Sequence, residues 1–185
     1  MKIDYSVERV RKTLTTQDFI DRFSNYSMVQ GFCKECPRYD TNYSCSPLKI
    51  DPHDYILSYD YVDIIKTQLF YKKENCKKSY TKEEFDSIID NTFQKERQLT
   101  VDSIKKEEAT YEHAISLTGP CNECANDCKN QYDKCIHPEI RRYSLASLGI
   151  DSQKILKDLF GIELILLGKS LPEYMNNLTT LLYSK

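Results

Sequence analysis

The sequence has little glycine, no long hydrophobic run and almost no net charge. Five glycines among 185 residues leave little room for a glycine-rich loop that would bind phosphate. The longest apolar run, residues 159–167, is interrupted by Gly161 and Glu163 and is far shorter than the roughly 20 residues of a membrane-spanning helix. A formal net charge of −2 gives no basic surface of the kind that binds nucleic acid or anionic membranes. We therefore expect no nucleic-acid partner and no membrane partner.

The first residues also lack the apolar segment that a signal peptide requires, so we expect a cytoplasmic protein. In that reducing compartment, eight cysteines argue against a disulfide framework and favour metal or redox chemistry. No grouping of serine, histidine and aspartate for nucleophilic catalysis stands out, and no pair of carboxylates does. The cysteines are therefore the residues most informative about function.

Four cysteines form a dense group with the spacing C-x2-C-x3-C-x6-C, here called the four-cysteine group: Cys121, Cys124, Cys128 and Cys135. Thiolates are soft ligands for zinc, copper(I) and iron–sulfur clusters. The close spacing of the first three is typical of thiolates wrapped around a cluster, although the four could also form a closed tetrahedral zinc site. The pattern differs from the ferredoxin run, because Pro138 follows the last cysteine by three residues.

Three further cysteines form the three-cysteine group, with the spacing C-x2-C-x8-C: Cys33, Cys36 and Cys45. Prolines at positions 37 and 47 stiffen this segment. The two groups lie about eighty residues apart, so they can serve two sites or supply one shared site. Both occur in proline-bounded loops that flank predicted strands, and we expect them to lie close together in space.

The remaining candidate ligands allow more than one interpretation. Cys76 is either an unligated loop thiol or a fourth ligand of the three-cysteine group. His137 is a metal ligand, a donor to a ligand, or a surface imidazole. Arg141 and Arg142 either decorate a solvated helix face or donate hydrogen bonds to cluster sulfur or to an anion. The other two histidines, His53 and His113, are expected to be structural.

The residue pattern predicts an α+β fold in a single domain spanning residues 1–185, with a small mixed or antiparallel sheet, several helices and the cysteine-rich loops at one edge. The predicted strands are residues 61–71, 111–117, 162–167 and 178–183. Residues 5–14 are either a strand or a loose helix. Two short helices are predicted in the N-terminal half, one at residues 17–23, capped by Thr16, and one that begins at Pro52. A long helix is predicted from a capping box at Thr81 to about residue 109, with a break near 99–100. The last two predicted helices are residues 139–148 and residues 152–160, the latter capped by Asp151.

The paired cysteine motifs resemble those of a prokaryotic family described as predicted metal-binding proteins, a domain of unknown function. Beyond the seven cysteines, the resemblance rests on these residues: Gly119, Pro120, Pro138, Glu139, Arg142, Ser144, Gly149 and Asp151. The chain departs from the family pattern at Ser46 and Tyr143, which replace prolines, and at Ala146, which replaces an acidic residue. The resemblance implies metal binding and does not imply a reaction.

From these observations we expect a cytoplasmic iron–sulfur protein, with a [4Fe-4S] cluster held mainly by the four-cysteine group. The three-cysteine group would hold a second centre or complete the same one. The expected role is electron transfer or redox sensing for a protein partner. That partner would act in redox chemistry or in assembly. The alternative is a zinc-stabilised interaction module without catalysis. A third possibility is an enzyme whose open metal site activates water or substrate, with His137 and Glu139 as the nearest acid–base candidates.

Overall fold

An antiparallel sheet forms the centre of the computed structural model, which describes residues 3–119, 121, 123–124, 128–163 and 170–185. Within those residues the sheet has four strands: β1 (Tyr5–Thr15), β2 (Tyr61–Tyr71), β3 (Ala114–Leu117) and β4 (Tyr174–Tyr183). Their order is β1-β2-β4-β3, and every neighbouring pair is antiparallel. The predicted α+β fold with an antiparallel sheet is confirmed.

Strand β2 lies in the interior of the sheet, and both of its faces are covered. It is paired with β1 along its whole length and with β4 on its other side. Val62 and Ile64 point to one face of the sheet, whereas Ile65 and Thr67 point to the other, and all four are buried. The strand was predictable from the sequence because it is rich in β-branched and aromatic residues with partial alternation.

Eight α-helices surround the sheet in the part of the chain that the structure describes, together with a π-helical turn at Asp90–Gln94 and a 3₁₀ turn at Pro138–Ile140. The α-helices are α1 (Thr16–Phe23), α2 (Tyr26–Lys34), α3 (Pro52–Leu57), α4 (Lys73–Cys76), α5 (Lys82–Ile89), α6 (Lys95–Glu108), α7 (Cys128–Gln131) and α8 (Ser152–Phe160). None of the helices within these described ranges is long and apolar enough to cross a bilayer.

The main hydrophobic core lies between one face of the sheet and helices α1, α3 and α8. Phe19 and Phe23 of α1, Ile56 of α3 and Ile155 of α8 are all fully buried there. Leu148 enters the same core from a turn at residues 144–149. The core therefore holds that turn in place, and the turn itself lies against the segment that carries Cys33.

Helices α5 and α6 cover the other face through a partly polar contact. Thr67 and Thr100 share a hydrogen bond between their hydroxyls at 3.0 Å, and Ile65 packs near Ile104. Closer to the sheet edge, Arg9 of β1 forms an ion pair with Glu96 of α6 at 2.6 Å. These contacts fix α6 against the sheet, and α6 in turn anchors the four-cysteine group.

Several predicted boundaries are corrected. Residues 5–15 form a strand, so the cap of α1 is Thr15, whose hydroxyl accepts from Asp18 N at 3.2 Å, and Thr16 is buried instead. Helix α2 was not predicted, because Gly31 suggests a helix end but lies inside this helix. The capping box at Thr81 is confirmed. The break in the long helix lies at the π-helical turn Asp90–Gln94, N-terminal to the predicted position at residues 99–100.

The C-terminal half shows similar shifts. The predicted helix at residues 139–148 is replaced by a 3₁₀ turn, an extended stretch and the 144–149 turn. Strand β3 is shorter than predicted, and β4 begins four residues earlier, while helix α8 and its Asp151 cap are confirmed. Of the strand predicted at 162–167, residues 162–163 are irregular and residues 164–167 lie outside the described residues.

Candidate metal centre

The three-cysteine group is positioned by the end of helix α2 and the turns that follow it. Cys33 lies in the last turn of α2, where its thiol is 3.7 Å from the carbonyl oxygen of Ala146 in the 144–149 turn. Cys36 follows in a turn closed by its N–H donating to Cys33 O at 3.1 Å. Cys45 is buried, and its N–H donates to Asn42 O at 3.2 Å. Consecutive turns thus bring all three thiols to one cavity.

That cavity has a volume of about 240 Å³. One wall is the chain from Cys33 to Ser46, and the opposite wall is the 144–149 turn. Its lining residues are Cys33, Cys36, Arg38, Tyr39, Cys45, Ser46, Ser144, Ala146 and Ser147. The three-cysteine group therefore borders a space much larger than a single water molecule occupies.

The four-cysteine group borders a second, smaller cavity of about 10 Å³. All four thiol-bearing residues line it, although they come from irregular chain and from the short helix α7. The full set of lining residues is Asn42, Tyr43, Ser44, Cys121, Glu123, Cys124, Cys128, Cys135, His137 and Arg141. This volume is close to that of one water-sized probe.

One short segment separates the two cavities. Asn42 and Ser44 line the smaller cavity, whereas Cys45, the next residue, lines the larger one. The segment is bound to the four-cysteine group by direct hydrogen bonds. Ser44 Oγ accepts from Cys121 N at 3.3 Å, and Asn42 Oδ1 lies 3.6 Å from the Cys128 sulfur. The two cysteine groups are therefore neighbours, as expected from the sequence, but they face separate cavities.

The thiols within each group perturb one another. Burial and the nearby Cys36 and Cys33 raise the pKa of the Cys45 thiol, although a hydrogen bond from Ser44 and the charge of Arg38 oppose this. Burial and then the neighbouring Cys128, Cys121 and Cys135 raise the pKa of Cys124.

The raised pKa values keep the Cys45 and Cys124 thiols protonated at neutral pH, so a bound metal ion would have to displace their protons.

A buried charge network ties the four-cysteine group to helix α6. Glu123 lies between two of the cysteines and accepts from Lys105 Nζ at 2.7 Å. Arg142, which is 8% exposed, contacts Glu123 at 3.3 Å and donates to Glu108 Oε1 at 2.9 Å. Burial alone would raise the pKa of the Glu123 carboxyl, but Lys105 and Arg142 lower it. Four charged side chains thus fix the segment to helix α6.

Comparison with protein families gives a match over residues 22–183 to the family described as "Predicted metal-binding protein (DUF2284)". That range covers both cysteine groups and all of the sheet except β1.

The chain belongs to this family. No curated protein and no solved structure matches it.

The donor set fits the metal binding that the family name predicts. Each cavity is lined by several thiols, which are soft ligands for metal ions. Within the residues described, however, no three His, Cys, Asp or Glu side chains are placed so that they could hold an ion together.

The other candidates fall into two classes. His137 lines the smaller cavity and stays a candidate ligand, whereas Glu139, on an exposed turn, is not part of that lining. Cys76 lies apart from both groups, in a hydrophobic cluster with Tyr71 and with its sulfur 3.4 Å from Pro172 O.

The remaining histidines have the structural contacts expected of them. His113 stacks on Tyr59 with ring centroids 4.3 Å apart, and a ring nitrogen of His53 lies 2.7 Å from Ser24 Oγ.

Sequence reasoning missed several residues of the candidate site. Asn42 and Ser44 could have been suspected, because they fall between cysteines of one motif. The 144–149 turn was misread as a helix. Nothing in the sequence marked the buried pairing of Arg142 with Glu108, and the interpretation of Arg142 as part of a solvated helix face was wrong, since it is buried.

Proposed function

We propose that this metal-binding protein is a cytoplasmic iron–sulfur protein with two thiolate centres side by side, acting in electron transfer or redox sensing for a protein partner. The three-cysteine and four-cysteine groups would each hold one centre, at least one of them a [4Fe-4S] cluster. The observation that carries the proposal is the division of seven thiols between two cavities separated by residues 42–45. Neighbouring redox centres allow an electron to pass between them.

The volume of the larger cavity supports a cluster. About 240 Å³ beside three thiols is far more than one coordinated ion needs. A cluster held by three thiolates leaves one iron position without a cysteine, and Arg38 is among the residues that line the same cavity.

Exposed apolar side chains near the cysteine groups, here called the apolar rim, support the proposal of a protein partner. Phe32 is 65% exposed on helix α2 beside Cys33, and Met28 is exposed on the same helix. Ile136 and Ile140 are 45% and 40% exposed on either side of His137. Exposed apolar side chains around a functional site are typical of protein-docking surfaces. A partner bound to this rim would be close to both centres.

The test is the metal content and colour of protein purified without oxygen. We expect iron and acid-labile sulfide, visible charge-transfer absorption, and bleaching of that absorption by dithionite, since thiolate-bound ferric iron is coloured and reducible. Cys45→Ser and Cys124→Ser should each remove part of the iron, and Cys76→Ser should remove none. Colourless protein with stoichiometric zinc would overturn the electron-transfer role.

A zinc-stabilised interaction module is the second candidate, and one observation favours it. The cavity of the four-cysteine group, about 10 Å³, has room for a single ion and not for a cluster. In this case zinc bound by four thiolates would stabilise the fold, and the apolar rim would bind the partner without redox chemistry. Retention of zinc in Cys45→Ser and its loss in Cys124→Ser would favour this candidate.

A further inference from the structure

Strand β1 is an edge strand whose outer side has no strand partner in the part of the chain that the structure describes. Its 11 residues, Tyr5–Thr15, pair with β2 on one side only. Thr16 N donates to Asp60 O, one step beyond the last pair of this ladder, so the even-numbered residues of β1 are the ones that bond to β2. The odd-numbered residues therefore direct their N–H and C=O groups to the open edge. A long open edge is a template for pairing with another strand.

The middle of this edge is accessible to another chain. A cavity of about 470 Å³ lies between β1 and helix α6, and Arg9, Val10 and Arg11 line it on the strand side. Leu99 of α6 borders the same cavity and is 51% exposed. Helix α6 is thus held away from this stretch of β1 and does not close over its edge.

The side chains of β1 are self-complementary in one antiparallel register. Glu8 lies two residues before Val10 and Lys12 two residues after it, so all three side chains are on the same face of the sheet. If two copies are related by a two-fold axis at Val10, Glu8 of each copy lies directly opposite the partner's Lys12. Glu8 accepts from Lys66 Nζ at 2.6 Å, but its side chain is still 54% exposed and has room for a second cation. Opposite charges directly across a sheet stabilise strand pairing.

The neighbouring registers lack this match. Moving the partner strand by two residues places Arg9 opposite the partner's Arg9, or Arg11 opposite the partner's Arg11, and loses the pairs of opposite charge. In the register centred on Val10, Arg9 lies opposite the partner's Arg11, but each arginine already has a carboxylate of its own. Arg9 pairs with Glu96 at 2.6 Å, and Arg11 pairs with Glu107 at 2.6 Å. These ion pairs weaken the repulsion between the arginines, so the register centred on Val10 is favoured.

We propose that β1 binds β1 of a second copy of this chain, antiparallel and centred on Val10, so that the two four-stranded sheets become one continuous sheet. The outward N–H and C=O groups of the odd-numbered residues then bond across the two-fold axis, and the same residues of both copies form the interface. The four-cysteine group lies toward the opposite edge of the sheet, since Glu108, which binds Arg142, also accepts from Ser116 N on β3. The dimer therefore leaves the four-cysteine group of each copy away from the interface.

The experiment measures the mass of the full-length protein, as purified, by sedimentation equilibrium over a range of concentrations. Lys12→Glu places two glutamates opposite each other in the dimer, and Glu8→Lys places two lysines opposite each other. Val7→Pro removes an outward N–H and leaves the bonds from β1 to β2 intact, which is the position at which an edge strand tolerates proline. Lys49→Glu is the matched control, because it makes the same change of charge at an exposed residue outside the sheet. Circular dichroism checks that each variant is folded.

We expect the wild type to dimerise, and the Kd of the dimer to rise at least about tenfold in Lys12→Glu, Glu8→Lys and Val7→Pro. Lys49→Glu should leave the Kd unchanged. An equimolar mixture of Lys12→Glu and Glu8→Lys should form a heterodimer, because every glutamate then faces a lysine.

Three results would overturn the proposal: a wild type that is monomeric at every concentration, a dimer that the substitutions in β1 do not weaken, or a mixture that pairs no better than either variant alone. The measured mass does not depend on which metal is bound. The outcome is therefore separate from that of the iron–sulfur function.

Discussion

Replacement of Gly149 by alanine should destabilise the protein strongly. Gly149 ends the turn that walls the larger cavity, and its φ of +77° lies in the left-handed region that disfavours other residues. A Cβ at this position would lie 2.9 Å from the Cα of Tyr26 and 2.6 Å from its ring. The backbone of Tyr26 cannot simply swing away, because the N–H of Asn25 donates to Gly149 O at 2.9 Å.

The magnitude follows from two separate effects. Forcing an L-residue into the left-handed region costs about 1–2 kcal/mol. Overpacking against a fixed backbone typically costs about 1–3 kcal/mol more. The free energy of unfolding should therefore fall by roughly 2–5 kcal/mol, which is a large part of the roughly 5–15 kcal/mol that stabilises most domains.

Two other glycines separate these effects. Gly161 also has a positive φ, +65°, but a Cβ there would meet no atom within 4 Å, so Gly161→Ala should cost only the backbone strain of about 1–2 kcal/mol. Gly31 lies inside helix α2 with open space around it, and Gly31→Ala should stabilise the protein by up to about 1 kcal/mol.

The assay is urea denaturation of the three variants and the wild type under identical metal loading, with unfolding monitored by circular dichroism. The expected order of stability is Gly31→Ala, wild type, Gly161→Ala and then Gly149→Ala. If Gly149→Ala were no less stable than Gly161→Ala, the description of α2 as closely packed on the turn would be wrong. The position of the wall opposite Cys33 would then be wrong as well.

Three further predictions concern the metal and its supports. Cys124→Ser should lose metal and unfold at much lower denaturant concentration, since structural metals contribute on the order of 10 kcal/mol, whereas Cys76→Ser should change neither metal content nor the denaturation midpoint. Metal affinity should rise with pH from mildly acidic to mildly alkaline conditions, because thiols with raised pKa values, such as that of Cys45, must lose protons to bind. Metal affinity measured by competition with a chelator should therefore depend on pH, and an affinity that did not change with pH would contradict this. Arg142→Ala should reduce the free energy of unfolding by roughly 1–3 kcal/mol, because the partly buried Glu108 carboxylate loses its ion-pair partner, and Arg141→Ala, in a less buried position, should have a smaller effect by the same denaturation measurement.

The features predictable from the sequence are those set by local chemistry. Strand β2 was predictable because it is rich in β-branched and aromatic residues. The cap at Asp151 was predictable because its carboxylate accepts from Lys154 N within the same turn. Both cysteine groups were recognisable from spacing alone.

The features that were missed depend on tertiary contacts. Gly31 is tolerated in helix α2 because its neighbours bind the 144–149 turn, with Gln30 Nε2 donating to Ser147 O at 3.3 Å. The apolar residues of the 144–149 segment have helical spacing, but its backbone conformation is set by the close packing of Gly149 against Tyr26. The break in the long helix lies where Thr92 donates to Ile88 O and shares a hydrogen bond with the hydroxyl of Tyr71. Such contacts between distant segments leave no local signal.

The two separate cavities also bear on how the metal is acquired. Each draws its thiols from one short stretch, Cys33–Cys45 or Cys121–Cys135, although the sheet strands β2 and β3 lie between them in the sequence. Closing a short loop costs less chain entropy than closing a long one, so each stretch needs little help from the rest of the chain to gather its ligands. We therefore expect metal–thiolate bonds to form before the sheet does. On dilution from denaturant in the presence of cobalt(II), thiolate absorption should rise ahead of the circular dichroism of the strands, and the metal would then guide folding from the start.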